Sequence, residues 1–151
     1  MKKIVYIDMD NVLVDFSSAF PRVSKEIFTE YKECPDEIPG IFSLMDPMPG
    51  AIEAFSKLAV SFDTYILSTS PWENPSAWSD KLIWVKTHLG SQAYKRLILS
   101  HHKNLNAGDY LVDDGLKNGV DKFQGEHIHF GSAKFPDWDA VVEYLFTKEG
   151  L

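Results

Sequence analysis

The sequence predicts an α/β domain built on a parallel sheet, and three observations carry that prediction. Short apolar runs rich in β-branched residues alternate with segments of helical spacing. The polar residues of chemical interest stand directly after those runs, where open α/β sheets place their ligand crevice. The length, 151 residues, suits one domain spanning 1–151 with room for a small insertion and none for a second full domain.

Lys3 to Ile7 is an apolar run that stops at Asp8 and reads as a buried parallel strand. Val12 to Tyr31 has apolar residues at roughly helical spacing, interrupted by Pro21. Cys34 to Pro49 is rich in Pro, Gly and acids and reads as irregular. Pro49-Gly50 opens a helix through Ala51, Ala54, Phe55 and Leu58. Thr64 to Ser68 is a second strand, followed by Thr69-Ser70-Pro71 and a helix over about Ser76 to Leu89, stopped by Gly90. Further strands are expected over Arg96–Ser100, Tyr110–Val112 and His127–Phe130, with a short helix over Lys117–Phe123. Asp137 is expected to cap a last helix through Leu145.

The bulk numbers narrow the function classes. A 44% hydrophobic, 25% charged chain has ample material for a core. The formal net charge of −7 argues against a broad basic surface for nucleic acid polymers, which need clustered Lys and Arg. Cys34 is the only cysteine, so no intramolecular disulfide is available and the chain reads as cytoplasmic. The N-terminal apolar run breaks at an acid and does not read as a signal peptide. No stretch approaches the ~20 apolar residues that span a bilayer, so no membrane partner is expected.

Asp8-Met9-Asp10 places two carboxylates two residues apart just past a strand. One can attack phosphorus to give an aspartyl phosphate, and the other can give and take the proton. An isolated pair of this kind more often caps a helix. Asp113-Asp114 changes that balance, because it also follows an apolar strand. Crowded carboxylates need a cation, and an all-oxygen set suits magnesium. The bland alternative at Asp114 is a helix cap. Thr69-Ser70 is read either as an ST-turn or as hydroxyls and backbone N–H groups at a helix N-terminus that hold phosphate oxygens. Lys103 alone would be a solvated lysine; its place between the Thr69 and Asp113 strands is what raises it as a candidate. His101, His102, His127 and His129 allow a zinc site, but no cysteine pair supports it. Trp72, Trp78 and Trp84 recur at a spacing that fits no helical face and read as separate packing residues, one of which could line a base pocket.

These segments resemble the haloacid dehalogenase (HAD) superfamily and, within it, the 5′(3′)-deoxyribonucleotidase family. Asp8-Met9-Asp10-Asn11-Val12-Leu13-Val14-Asp15-Phe16 is similar to the family's opening motif, which usually has Gly where Asn11 stands. Pro47-Met48-Pro49-Gly50-Ala51-Ile52-Glu53-Ala54 resembles its Pro-Gly helix opening, Ser68-Thr69-Ser70-Pro71 its second motif, and Trp84-Val85-Lys86-Thr87-His88-Leu89-Gly90 a helix ending. Lys103 and Gly108-Asp109-Tyr110-Leu111-Val112-Asp113-Asp114 resemble the third and fourth motifs. Asn in place of Gly is compatible with an unusual backbone angle.

The resemblance implies a HAD-like Rossmannoid parallel sheet flanked by helices, with a small helical cap inserted after the first strand, at about 16–47. It implies that Asp8 is nucleophile and magnesium ligand. Asp10 would be general acid/base with its carbonyl on the metal, and Asp113 and Asp114 would be further Mg2+ ligands. Thr69, Ser70, Lys81 and Lys103 would contact phosphate, and Phe16 would line the nucleoside pocket. The expected activity is a magnesium-dependent phosphomonoesterase hydrolysing deoxyribonucleoside monophosphates through an aspartyl phosphate. The alternatives are a phosphatase of another small ester, such as a sugar phosphate, and a non-catalytic nucleotide-binding protein. The oligomeric state stays open, a homodimer included.

Overall fold

The computed structural model describes residues Met1 to Leu151. In chain order the strands are β1 (Ile4–Ile7), β2 (Val14–Asp15), β3 (Asp46–Pro47), β4 (Asp63–Ser68), β5 (Leu97–Leu99), β6 (Tyr110–Asp113) and β7 (Glu126–His129). The α-helices are α1 (Lys25–Glu30), α2 (Ala51–Ser61), α3 (Pro75–His88) and α4 (Trp138–Glu149). Five strands form one parallel sheet in the order β5-β4-β1-β6-β7, and β2 pairs antiparallel with β3 in a separate ribbon.

β1 and β6 are central, so both faces of each must be apolar, and Val5, Tyr6, Ile7, Tyr110, Leu111 and Val112 are all buried. One face, through Val5, Ile7, Ile66, Val112 and Ile128, packs into the main core with α2, α3 and α4. The other face, through Tyr6, Leu67 and Leu111, is closed by Val120 and Phe123. α2 buries Ala51, Ala54, Phe55 and Leu58, the i, i+3, i+4, i+7 pattern of one helical face. Gly50, at φ 77°, takes the left-handed turn that starts it. In α4 the Asp137 carboxylate accepts the Ala140 N–H at 2.9 Å, the cap expected from the sequence, and the helix runs on to Glu149.

Val12 to Tyr31, whose roughly helical spacing is interrupted by Pro21, does not form a single helix. The Met9 carbonyl collects the N–H groups of Val12, Leu13 and Val14, folding the chain into a tight loop. Val14 then pairs with Pro47 in the β2–β3 ribbon. Phe16–Arg22 is a 3-10 helix that contains Pro21, and Ser24 restarts the chain as α1 by accepting the Ile27 N–H. The expected helix over Lys117–Phe123 is reduced to a 3-10 turn at Val120–Lys122, beginning after Gly119 at φ 85°. Cys34–Pro49 contains two further 3-10 turns, Pro35–Glu37 and Ile41–Ser43.

The residues between β2 and β3 lean on α3. Asn74, buried, donates from Nδ2 to the carbonyls of Asp36 and Ile38 at 2.9 and 3.0 Å. Trp84 Nε1 donates to Met45 O at 3.0 Å, and Gly40 N donates to Ser76 Oγ at 2.9 Å. Arg22 grips Asp46 with two bonds of 2.9 and 2.8 Å. The Asn74, Ser76 and Trp84 contacts tie the residues between β2 and β3 to α3. No helix is long and apolar enough to cross a membrane.

Candidate active site

The carboxyl ends of β1 and β6 deliver three acids to one place. Asp8 follows β1, Asp113 ends β6 and Asp114 follows it. Their carboxylates each offer an oxygen within 4.8 Å of the others, and Asp8 and Asp113 are buried. Asp8 is held at its backbone by its N–H on Val112 O at 2.9 Å. Lys103, nearly inaccessible in a 3-10 turn after β5, spans the pair: Nζ lies 2.9 Å from Asp8 Oδ1 and 2.6 Å from Asp113 Oδ2. The Gly115 N–H donates to Asp113 Oδ1 at 3.0 Å, so both oxygens of Asp113 are fixed. No helix follows Asp114, which removes the helix-cap reading of that residue.

Asp10 faces the same crevice with a partly exposed side chain. Its Oδ2 is 3.4 Å from Lys81 Nζ. Asn11 sits at φ 61°, the left-handed conformation that Asn tolerates better than most residues, so it fills the turn where the family usually has Gly. Burial pushes the Asp8 carboxyl well above the ordinary carboxylate range; Lys103 pulls it back, while Asp113 and Asp10 push it further up. Burial also raises Asp10 against the opposing pull of Lys81. Asp114 is raised by burial and by the Asp113 charge. For Lys103, burial acts downward, yet Asp8 and Asp113 carry its ammonium above the ordinary lysine value.

Lys81 is fully buried on the core-facing stripe of α3. Besides Asp10 it donates to Ser68 Oγ and Thr69 O, both at 2.8 Å, and it lies over the Phe42 ring at 4.7 Å. An ammonium has three N–H donors, and these partners use all three. The structure therefore places Lys81 beneath Asp10 and not in the crevice. Thr69 lines the crevice, but its hydroxyl proton is committed to Ser100 O at 2.7 Å. Ser70 is buried with its hydroxyl unpartnered. α3 begins at Pro75, so Thr69-Ser70 does not stand at a helix N-terminus; a turn through Pro71–Asn74 intervenes. Phe16 packs edge-on against Phe20 and Phe42, between β2 and β3, at 5.6 and 5.8 Å between ring centres. Of the tryptophans, Trp84 is buried and Trp72 is mostly exposed.

The crevice has a volume of about 560 Å³ and a polar lining whose only hydrophobic member is Leu116. Besides the expected acids it includes Asn11, Gly115, Lys117, Asn118 and His129, none of which sequence reasoning singled out for this wall. The signal available for residues 115–118 was their position directly after the second acid pair. The donor set fits magnesium: three clustered carboxylates, oxygen only. Asp10 Oδ1 and Ser70 Oγ are buried polar atoms without a hydrogen-bond partner, and both belong to the segments that end at this crevice. Such atoms ordinarily find a partner or are completed by a ligand. No histidine joins the acid cluster, so the zinc alternative gains no support.

The family described as 5′ nucleotidase, deoxy (Pyrimidine), cytosolic type C protein matches residues 36–138. The chain belongs to the 5′(3′)-deoxyribonucleotidase family. It is 60% identical over 147 residues to a Vibrio phage KVP40 protein assigned that name, covering 97% of this chain and 86% of the relative. It is 30% identical over 172 aligned positions to the human cytosolic-type 5′(3′)-deoxyribonucleotidase, covering 95% of this chain and 79% of the human protein. Among solved structures it resembles a HAD hydrolase from Bacillus subtilis crystallised with magnesium, at a TM-score of 0.61 and 13% identity over 99% of each chain. A HAD-superfamily hydrolase from Geobacter sulfurreducens matches at a TM-score of 0.60 and 11% identity, covering 95% of this chain and 96% of the other. These two likenesses establish the HAD-like fold. As a member of this family the chain is a phosphoric monoester hydrolase.

Proposed function

We propose that the chain is a magnesium-dependent phosphatase of deoxyribonucleoside monophosphates that works through a phosphoryl group carried on Asp8. The observation that carries this reading is the placement of buried Asp8 against Lys103 and Asp113, with Asp10 at the same crevice. A carboxylate oxygen of Asp8 attacks phosphorus while the ester P–O bond breaks. Asp10 passes its proton to the departing sugar oxygen. Its raised pKa suits a group that must hold that proton. Asp10, now a carboxylate, takes a proton from water as the water oxygen attacks phosphorus. The bond to Asp8 breaks, and inorganic phosphate leaves. Lys103 neutralises charge on the transferring oxygens from its place beside Asp8. Asp8, Asp113 and Asp114 are the residues that would hold magnesium, which supplies a hard positive charge beside the phosphoryl oxygens.

Segment 16–47 acts as the cap in this reading. Phe16 packs against Phe20 and Phe42 in its aromatic interior, and Phe16 is the residue assigned to the nucleoside. On the β4 side the phosphate would be met by the Thr69-Ser70 segment, where Thr69 lines the crevice with its hydroxyl proton held by Ser100 O and the buried Ser70 hydroxyl has no partner of its own. The placement of the chain in the cytoplasm is part of the same proposal. Replacing Asp8 with Asn tests the reading, because an amide cannot form the acyl phosphate. Folded Asp8→Asn protein should retain phosphate binding and lose turnover of a deoxyribonucleotide panel; near-wild-type turnover would exclude Asp8 as nucleophile.

A further inference from the structure

The sheet ends before the acid pair does. β6 stops at Asp113, and β7 stops at His129, its register partner. The Asp113 carbonyl still receives a backbone donor, the Phe130 N–H at 3.1 Å. Asp114 lies one residue beyond the strand, where the ladder no longer fixes the peptide plane.

Side chains from β7 take over there. His127 and His129 are two apart on the strand and so stand on the same face. His127 Nε2 is 2.9 Å from Asp113 O, and His129 Nε2 is 3.0 Å from Asp114 O. A carbonyl oxygen only accepts, so both rings present Nε2–H to the acid pair. The two rings stack at 5.3 Å with 22° between their planes, so each restricts the rotation of the other. His127 is half-buried, and His129 is exposed at the wall of the crevice.

We propose that His127 and His129 are positioning residues for the cation site. They prolong the β7 ladder with side-chain donors and hold the backbone of Asp113 and Asp114, so that both carboxylates stay directed at Asp8. The inference rests on reading Asp8, Asp113 and Asp114 as the magnesium ligands. Neither ring touches the reacting atoms; each acts through a carbonyl of a ligand residue. Groups that orient ligands in this indirect way typically change metal affinity by about 10–100-fold when removed. A pair that merely closed the sheet edge would change unfolding and leave affinity alone.

Calorimetric titration of Mg2+ into substrate-free protein separates the two roles. It is run on wild type, His127→Ala, His129→Ala and the corresponding Gln variants, with the metal-free Tm of each. Glutamine carries an Nε2–H donor near the position of the imidazole Nε2–H. Each Ala variant should bind Mg2+ about 10–100-fold more weakly. The Gln variants should restore most of the lost affinity. Because His129 is exposed, its variants serve if His127→Ala fails to fold. Ala variants that bind Mg2+ with wild-type affinity, whether or not their Tm falls, would overturn the proposal. Wild-type protein that binds no Mg2+ would instead overturn the underlying assignment of the ligands.

Discussion

Lys103 donates a hydrogen bond to Asp8, Nζ to Oδ1 at 2.9 Å, across 95 residues of sequence and with both side chains buried. The same ammonium reaches Asp113 at 2.6 Å, so one cation organises the two acids that end β1 and β6. Lys103→Ala removes an electrostatic clamp aimed at the transferring oxygens. The expected loss in kcat/KM is about 10²–10³. Steady-state kinetics on a deoxyribonucleotide with saturating magnesium checks it, and an unchanged kcat/KM would reduce Lys103 to a structural ion pair.

The raised carboxyl of Asp8 gives the metal-free protein a defined pH response. Unfolded Asp titrates near pH ~3.9. In the fold Asp8 titrates well above that, chiefly because it is buried. Between the two values the folded state binds more protons, so this residue's contribution to stability falls as pH rises through the window, and the loss is complete above the folded pKa. Other carboxylates act in the opposite sense, among them Asp46, held down by its hydrogen bonds from Arg22. The useful comparison is therefore wild type against Asp8→Asn. Without metal, the Asn variant should gain in Tm relative to wild type as pH rises from the acid side to neutrality. Magnesium should close that gap by stabilising wild type. A difference that does not change with pH would contradict the assignment of buried, destabilised charge to Asp8.

Lys81 is fully buried and bonded to Ser68 Oγ, Thr69 O and Asp10 Oδ2. Lys81→Met keeps the length of the stem and strands those acceptors. An unsatisfied buried polar group costs about 1–3 kcal/mol, whereas a solvated surface lysine can be replaced within about ±0.5 kcal/mol. Urea unfolding should show the larger loss. The variant should also lose nucleotide turnover, because Asp10 loses the cation that orients it. A stability unchanged from wild type would contradict the packed role.

The parallel strands were legible because each is a short apolar run ended by a chemically conspicuous residue: Ile7 before Asp8, Ser68 before Thr69, Val112 before the Asp113-Asp114 pair. The same punctuation marked Asp8, Thr69, Asp113 and Asp114, which the structure brings to one crevice. Val12–Tyr31 keeps an approximately helical spacing through Phe16, Ala19, Phe20 and Phe28, but it forms no continuous helix. The Met9 carbonyl takes the N–H groups of Val12, Leu13 and Val14, Val14 pairs with Pro47, and Pro21 lies in a 3-10 helix. Lys81 was expected to contact phosphate, and nothing local marked it as buried, because its core-facing stripe, Ala77, Lys81, Trp84 and Val85, does not stand out in a helix whose apolar residues favour no single face. The roles of His127 and His129 toward the acid pair depend on register between β6 and β7, which the strand sequences do not encode by themselves.

The two-step mechanism rests on Asp10 acting once as acid and once as base. A sugar alkoxide needs a proton to leave, so Asp10→Asn should nearly abolish nucleotide hydrolysis. p-Nitrophenolate leaves without help, so transfer to Asp8 should survive with the aryl ester, while water attack on the aspartyl phosphate lacks its base. Rapid-quench measurement of p-nitrophenyl phosphate with Asp10→Asn is the most direct test of the covalent account. A burst of about one nitrophenol per active site followed by a stall is the predicted result. Equal loss on aryl ester and nucleotide with no burst would contradict it, leaving Asp10 as an orienting group and Asp8 without evidence of a phosphorylated intermediate.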